Sequence, residues 1–258
     1  MELNTRHFPG DPDRPALGLH CMMGSANLFE PLAMRLQGAA DLTAFDFPGH
    51  GRSPDWSAPE GVDLHTFVTR HAAGLITRPL DLVGHSFGAT VALRIAVGAP
   101  HAIRSLTLVE PVLFAAASVA SRQAEIDRLA PFEAAQDWNG MLRRFLGDWG
   151  APGAPPPPAT GPKAERLRVQ MQMVASTNAA LMEDRANILR ADGLEGIEAP
   201  VMLIAGEASP PIVHEIAAAL AARLPDVARA TIPGAGHMLP LTHPDQFADL
   251  TRMNLERS

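Results

Sequence analysis

Residues Asp81-Leu82-Val83-Gly84-His85-Ser86-Phe87-Gly88-Ala89-Thr90-Val91-Ala92-Leu93 decide how the rest of the chain is read. A short apolar run (Leu80, Leu82, Val83) enters a Gly-x-Ser-x-Gly pentapeptide, and an alanine-rich stretch of helical character follows at once. This succession predicts a strand-to-helix turn so tight that Ser86 is held in a strained backbone conformation with its hydroxyl exposed. Gly84 and Gly88 are then required, because a Cβ at either position would collide with the neighbouring strand or helix. A helix beginning just after Ser86 also points free N–H groups, and the positive end of its dipole, at any charge developing on a substrate oxygen. Three fixed positions carry little information alone; the flanking elements and the partners found elsewhere give them weight.

Outward from this stretch the chain alternates between strand and helix patterns. Upstream, Glu2 to Phe8 reads as a short edge strand closed by Pro9-Gly10, and Ala16 to Cys21 as a strand that stops at Met22-Met23-Gly24-Ser25. Leu28, Leu32 and Leu36 form a helical stripe. The strand Leu42 to Phe47 ends in the Gly/Pro-rich turn Asp46-Phe47-Pro48-Gly49-His50-Gly51-Arg52-Ser53. Asp63 is a plausible N-cap for an amphipathic helix marked by Leu64, Phe67, Val68, Leu75 and Ile76. Downstream, the helix after Ser86 runs to about Val97, and Ser105 to Val109 is an apolar strand closing on Glu110-Pro111. From Leu113 to Glu195 the pattern is helical without strands, interrupted by Pro152-Gly153-Ala154-Pro155-Pro156-Pro157-Pro158, which reads as an extended spacer. Alternation resumes with a strand at Val201 to Ala205, a helix striped by Ile212, Ile216, Leu220 and Leu224, and a strand at Ala228 to Ile232. The loop Pro233-Gly234-Ala235-Gly236-His237 and a last helix from Pro244 to Leu255 complete the chain. The expectation is an α/β fold: a mostly parallel central sheet with helices on both faces, built from residues 1–112 and 196–258, with an inserted helical segment at 113–195.

Composition narrows the function. With 258 residues, 47% hydrophobic and 19% charged, the chain can bury a large core. A net charge of −7 argues against nucleic acid or an anionic membrane as partner, since both call for clustered positive charge. Lys163, the only lysine, is followed by Ala164, which removes a nucleotide-binding loop of the Gly-x4-Gly-Lys type. Cys21 is the only cysteine, so no intrachain disulfide forms and a reducing compartment is expected. Met1 to Gly10 has no apolar signal-peptide core, and no run approaches the roughly 18 apolar residues of a membrane span. A cytoplasmic, soluble monomer or homodimer acting on a small molecule is the expectation.

A serine hydroxyl is a poor nucleophile at neutral pH; it needs a base, and the base needs an orienting acid. Of the ten histidines, His237 is the best base, because it stands in a glycine-rich loop directly after a strand. His85 and His50 lie inside turns, His65 and His71 on a helix, His101 at a helix end, and His243 opens the last helix; each is read as structural or solvated. Other chemistries fit poorly. Gly49-His50-Gly51 is no dinucleotide fingerprint, since Pro54 takes the third glycine position. No two histidines stand four apart, and His214-Glu215 lacks the second histidine of a zinc helix. No metal and no cofactor are expected.

Four segments together resemble the α/β-hydrolase family, over nearly the whole chain and in the family's order. They are His20-Cys21-Met22-Met23-Gly24-Ser25, Asp46-x-Pro48-Gly49-His50-Gly51-x-Ser53, Gly84-His85-Ser86-Phe87-Gly88 and Gly234-Ala235-Gly236-His237. The resemblance implies a nucleophile at Ser86, a base at His237, an oxyanion hole from the backbone N–H groups of Phe87 and Met22, and a helical cap at 113–195. Two departures stand out. Cys21 replaces the glycine of the family's usual His-Gly turn, and reads as a buried inert thiol or as a second nucleophile. The aspartate usually found after the strand at Val201 to Ala205 is Ser209 here, in Gly206-Glu207-Ala208-Ser209-Pro210. Some family members place the acid at the end of the strand following the nucleophile helix, which is Glu110, in the chain order Ser86, Glu110, His237. Glu110 is the assignment; Glu207, or no acid at all, is the alternative.

Within the inserted segment, Leu167, Met171, Val174 and Leu181 fall at helical spacing, with Met173 and Met182 beside them. The stripe is either packing core or an apolar wall that, with Met22 and Phe87, suits acyl chains or rings. The function expected is that of a serine hydrolase of carboxylesterase type, transferring the acyl group of a mostly apolar ester to Ser86 and then to water. A thioesterase, a lactonase or a carbon–carbon bond hydrolase would use the same residues. Ser209 in place of an aspartate is the one feature that favours a receptor without turnover.

Overall fold

Side chains that point alternately to the two faces of each strand set the layers. In a computed structural model that describes all residues, Met1–Ser258, seven strands form one sheet in the order β1-β3-β2-β4-β5-β6-β7. They are β1 (Thr5–Phe8), β2 (Pro15–Leu19), β3 (Asp41–Phe45), β4 (Leu80–His85), β5 (Ile103–Val109), β6 (Val201–Gly206) and β7 (Val227–Ile232). Only β1, at the edge, runs antiparallel, paired with β3; every other pair is parallel. Leu82, Leu106, Leu108 and Leu203 point to one face, into the larger apolar core. Val83, Val109, Met202 and Ile204 point to the other. Strands buried on both faces read as continuous apolar runs, which is why β4 to β6 stand out in the sequence.

Helices cover both faces. α1 (Glu30–Leu36) packs with the C-terminal helix, and α2 (Leu64–Gly74) lies against α3 (Phe87–Gly98) on the opposite side. As the sequence indicates, Asp63 caps α2, its carboxylate accepting from the Thr66 N–H at 2.6 Å. Between β5 and β6 come only helices: a short 3₁₀ turn, then α4 (Val119–Ala134), α5 (Trp138–Trp149) and α6 (Pro162–Met182). The proline run separates α5 from α6. α7 (Pro211–Ala221), the single turn α8 (Leu239–Thr242) and α9 (Pro244–Leu255) follow the last two strands.

Strand ends depart from the sequence reading by one to three residues, the largest difference being at β1, which begins at Thr5 and not Glu2. β3 stops at Phe45 because the buried Asp46 carboxylate accepts from the N–H groups of Ala26, at 2.7 Å, and Arg52, at 2.8 Å, which turns the chain. β2 stops at Leu19 because the neutral His20 ring turns the chain. It donates from Nδ1 to the Cys21 carbonyl at 2.7 Å and accepts at Nε2 from the Phe47 N–H at 3.0 Å. One imidazole thus ties the loop after β2 to the loop after β3.

The turn at Ser86 has the close approaches expected of it. A Cβ built on Gly84 would lie 2.5 Å from the Gly88 carbonyl oxygen, and one on Gly88 would lie 2.1 Å from that of Leu19. Neither obstacle is a side chain that can swing aside. Gly88→Ala is therefore expected to lower unfolding stability by at least about 2 kcal/mol, read from urea unfolding. An unchanged midpoint would contradict this packing.

Candidate active site

Ser86 occupies the junction of β4 and α3 with φ 57 and ψ −118, a conformation that costs a non-glycine residue energy and is held by its surroundings. Its N–H donates to the Val109 carbonyl at 2.8 Å, which anchors it to the end of β5. The next residue on that strand, Glu110, also has a positive φ of 53 and is fully buried. His237 arrives from the loop after β7. Residues 151 positions apart meet where the His237 Nε2 lies 2.9 Å from the Ser86 Oγ. On the other side of the ring, Nδ1 lies 2.9 Å from the Glu110 Oε2. A carboxylate at Nδ1 keeps the ring proton there and leaves the Nε2 lone pair facing the serine hydroxyl. Such an arrangement can take the hydroxyl proton as the oxygen attacks a carbonyl carbon, and return it to a leaving group.

The second oxygen of Glu110 is equally occupied. Oε1 accepts from the Gly206 N–H at 2.5 Å and from the Ser209 hydroxyl at 2.8 Å. Ser209 stands at the position where the family resemblance implies a carboxylate; it instead donates a hydrogen bond to one. Glu207, the competing carboxylate, is exposed and accepts from the Gly234 N–H at 2.9 Å, making no contact with the His237 ring.

Two neighbours further constrain the His237 ring and its loop. His85 donates from Nε2 to the His237 carbonyl at 2.9 Å. Burial, helped by the nearby His237, pushes the His85 pKa down to about 3, so this bond is made by a neutral ring. Trp149, at the end of α5, stands edge-on to the His237 ring at 4.7 Å between centroids and 86° between planes.

Beside the serine, Phe87 is the first residue of α3, so its N–H has no partner within the helix. The Met22 N–H donates to no protein acceptor. Cys21, next to it, is buried, and burial pushes its thiol up to about 12. This favours the inert-thiol reading. His50, in the turn after β3, donates from Nδ1 to the Pro48 carbonyl at 2.9 Å and makes no contact with Ser86.

Two cavities meet at Ser86. The outer one, of about 470 Å³, lies under the proline run and α5; the inner one, of about 60 Å³, lies under α4 and α6. Both are lined by Met22, Ser86, Phe145, Trp149 and His237, and Phe87 lines the inner one. The stripe on α6 is divided by this geometry. Val174, Leu181 and Met182 face the inner cavity, whereas Leu167 and Met171 pack among α4 to α6 and Met173 joins the main core. Arg143 is the one arginine on the outer wall. The chain brings no three His, Cys, Asp or Glu side chains together in a way that could hold a metal ion, and no helix is long and apolar enough to cross a membrane.

Residues 17–250 match the alpha/beta hydrolase family, and the chain belongs to it. Among curated proteins, it is 31% identical over 245 residues to the pimeloyl-[acyl-carrier protein] methyl ester esterase of Xanthomonas campestris pv. campestris, covering 91% of this chain and 92% of that one. It is 35% identical over 111 residues to lipase LipV of Mycobacterium tuberculosis, a match spanning 42% of this chain and 41% of the lipase. Among solved structures, a thermophilic esterase from Thermogutta terrifontis superposes with a TM-score of 0.70 at 18% identity, over 99% of this chain and 93% of that one.

The thiol carries a direct test of the site's packing. A pKa raised to about 12 leaves far less thiolate at pH 8 than an ordinary cysteine has, so alkylation by iodoacetamide should be at least about a hundredfold slower in the folded protein than in urea. Folded and unfolded rates within tenfold of each other would contradict the burial of Cys21.

Proposed function

We propose that the protein is a serine hydrolase of carboxylesterase type, acting on an uncharged, mostly apolar ester. The observation that carries this reading is the hydrogen-bonded chain from Ser86 through His237 to Glu110, 2.9 Å at each link. Ester hydrolysis is the activity named in the Xanthomonas relative, which matches along nearly its whole length. In the proposed reaction Ser86 Oγ attacks the carbonyl carbon while its proton passes to His237 Nε2. The N–H groups of Met22 and Phe87 receive the charge that develops on the carbonyl oxygen. The alcohol leaves with the proton from His237, and water, activated by the same nitrogen, releases the carboxylic acid and restores the serine. Glu110 stays ionised throughout and stabilises the imidazolium between the two transfers. Residues 113–195 serve as a cap that walls the substrate space, with the core formed by 1–112 and 196–258. With a carboxylate already at His237 Nδ1, the serine at 209 no longer speaks for a receptor without turnover.

A fluorophosphonate probe should label the protein, and Ser86→Ala should abolish labelling; an unlabelled wild type would overturn the reading. Glu110→Gln should lower kcat by roughly 10³- to 10⁴-fold with little effect on KM. Near wild-type turnover in that variant would remove Glu110 from the mechanism. Ser209→Ala, which takes one of two donors from Oε1, should cost about tenfold in kcat.

A further inference from the structure

An ester has two limbs, and the space around Ser86 is divided into two unequal parts. Trp149 is 6% exposed and stacks with Phe145 at 6.4 Å between centroids. These two rings, with Met22, Ser86 and His237, line both the outer cavity of about 470 Å³ and the inner one of about 60 Å³. An apolar cavity of about 150 Å³ takes a benzene ring, so the inner space suits a limb of roughly two to four non-hydrogen atoms. The outer space has room for a long one.

The inner cavity is not apolar throughout. Its wall on α4 and α6 carries Glu125, Thr177 and Asn178. The Thr177 hydroxyl is already used, donating to the Met173 carbonyl. Glu125 is 6% exposed and pairs with the Arg128 guanidinium at 3.1 Å. Burial raises its pKa, with Arg128 opposing the shift. Asn178 lines the same cavity. A donor carried into the inner cavity by a ligand would add a hydrogen bond to this carboxyl. Arg128 also approaches Asp148 at 3.3 Å, so it keeps a partner when Glu125 is altered.

We infer that the inner cavity receives a short, polar-tipped limb of the ester, ending in a hydroxyl or amino group that donates to Glu125, while the apolar limb lies in the outer cavity. The substrate class is an ester joining a long apolar chain to a short hydroxylated or aminated group. This inference rests on Ser86 being the nucleophile between the two spaces.

The test uses paired esters of equal size. 2-Hydroxyethyl hexanoate is compared with propyl hexanoate, hexyl glycolate with hexyl propanoate, and all with hexyl hexanoate. In at least one pair the hydroxylated ester should show about tenfold higher kcat/KM, chiefly through KM, and the pair that does so tells whether the short limb is the alcohol or the acyl group. Hexyl hexanoate should be at least about tenfold slower than the favoured ester, because neither limb fits the inner space. Glu125→Leu should erase the preference within the favoured pair, and Glu125→Gln should retain most of it. Equal rates within both pairs, or hexyl hexanoate cleaved as fast as the short esters, would overturn the inference. The same pairs are titrated calorimetrically against Ser86→Ala. Absence of turnover on every ester would count against the hydrolase reading alone. The titration would still decide the inner cavity, tenfold tighter binding of a hydroxylated ester supporting it and equal affinities overturning it.

Discussion

The carboxylate of Glu110 is the point on which the site depends. It is fully buried, and a bare carboxylate in that position would be unaffordable without donors. Three groups supply them: the Gly206 N–H, the Ser209 hydroxyl and the His237 ring N–H. Two come from the end of β6 and one from the loop after β7, so a single charge at the end of β5 draws the three segments together. Removing any donor leaves the others to carry a buried charge, which is why the surrounding loops are as constrained as the residues that face the substrate space.

Strain is concentrated in the same few residues. Ser86 and Glu110 both have positive φ values, at the ends of adjacent parallel strands, and the Ser86 N–H is bonded to the carbonyl of the residue before Glu110. Glycines 84 and 88 let the turn come within contact of backbone on both sides. The apolar sheet holds these conformations: β4 is buried along its whole length, and β5 at every position but one. Rigid strands thus deliver two side chains to one point, and His237 completes the array from a loop held by the neutral His85.

Much of this is readable before the fold is known, and the limits are physical. Ser86 and His237 lie in local patterns, a glycine-flanked turn and a glycine-rich loop, whose chemistry is written within a few residues. The sheet is visible because strands buried on both faces are continuous apolar runs. Glu110 is legible only through its order in the chain and its place at a strand end. Ser209 reads as a missing acid, because its partner is 99 residues away and nothing local announces the bond. Trp149, Phe145 and Glu125 are invisible as pocket residues for a related reason. Helical periodicity shows that α4 to α6 exist, but their orientation over Ser86 depends on packing between elements, and the α6 stripe divides between cavity and core accordingly.

The proposed mechanism passes through covalent acylation of Ser86. Its most direct test is acid quenching of the protein during turnover of a 4-nitrophenyl ester, followed by mass spectrometry of the peptide containing Ser86. An initial burst of 4-nitrophenol and a mass increment equal to the acyl group on Ser86 are expected. Continued turnover with no acylated peptide, or an increment on another residue, would contradict it.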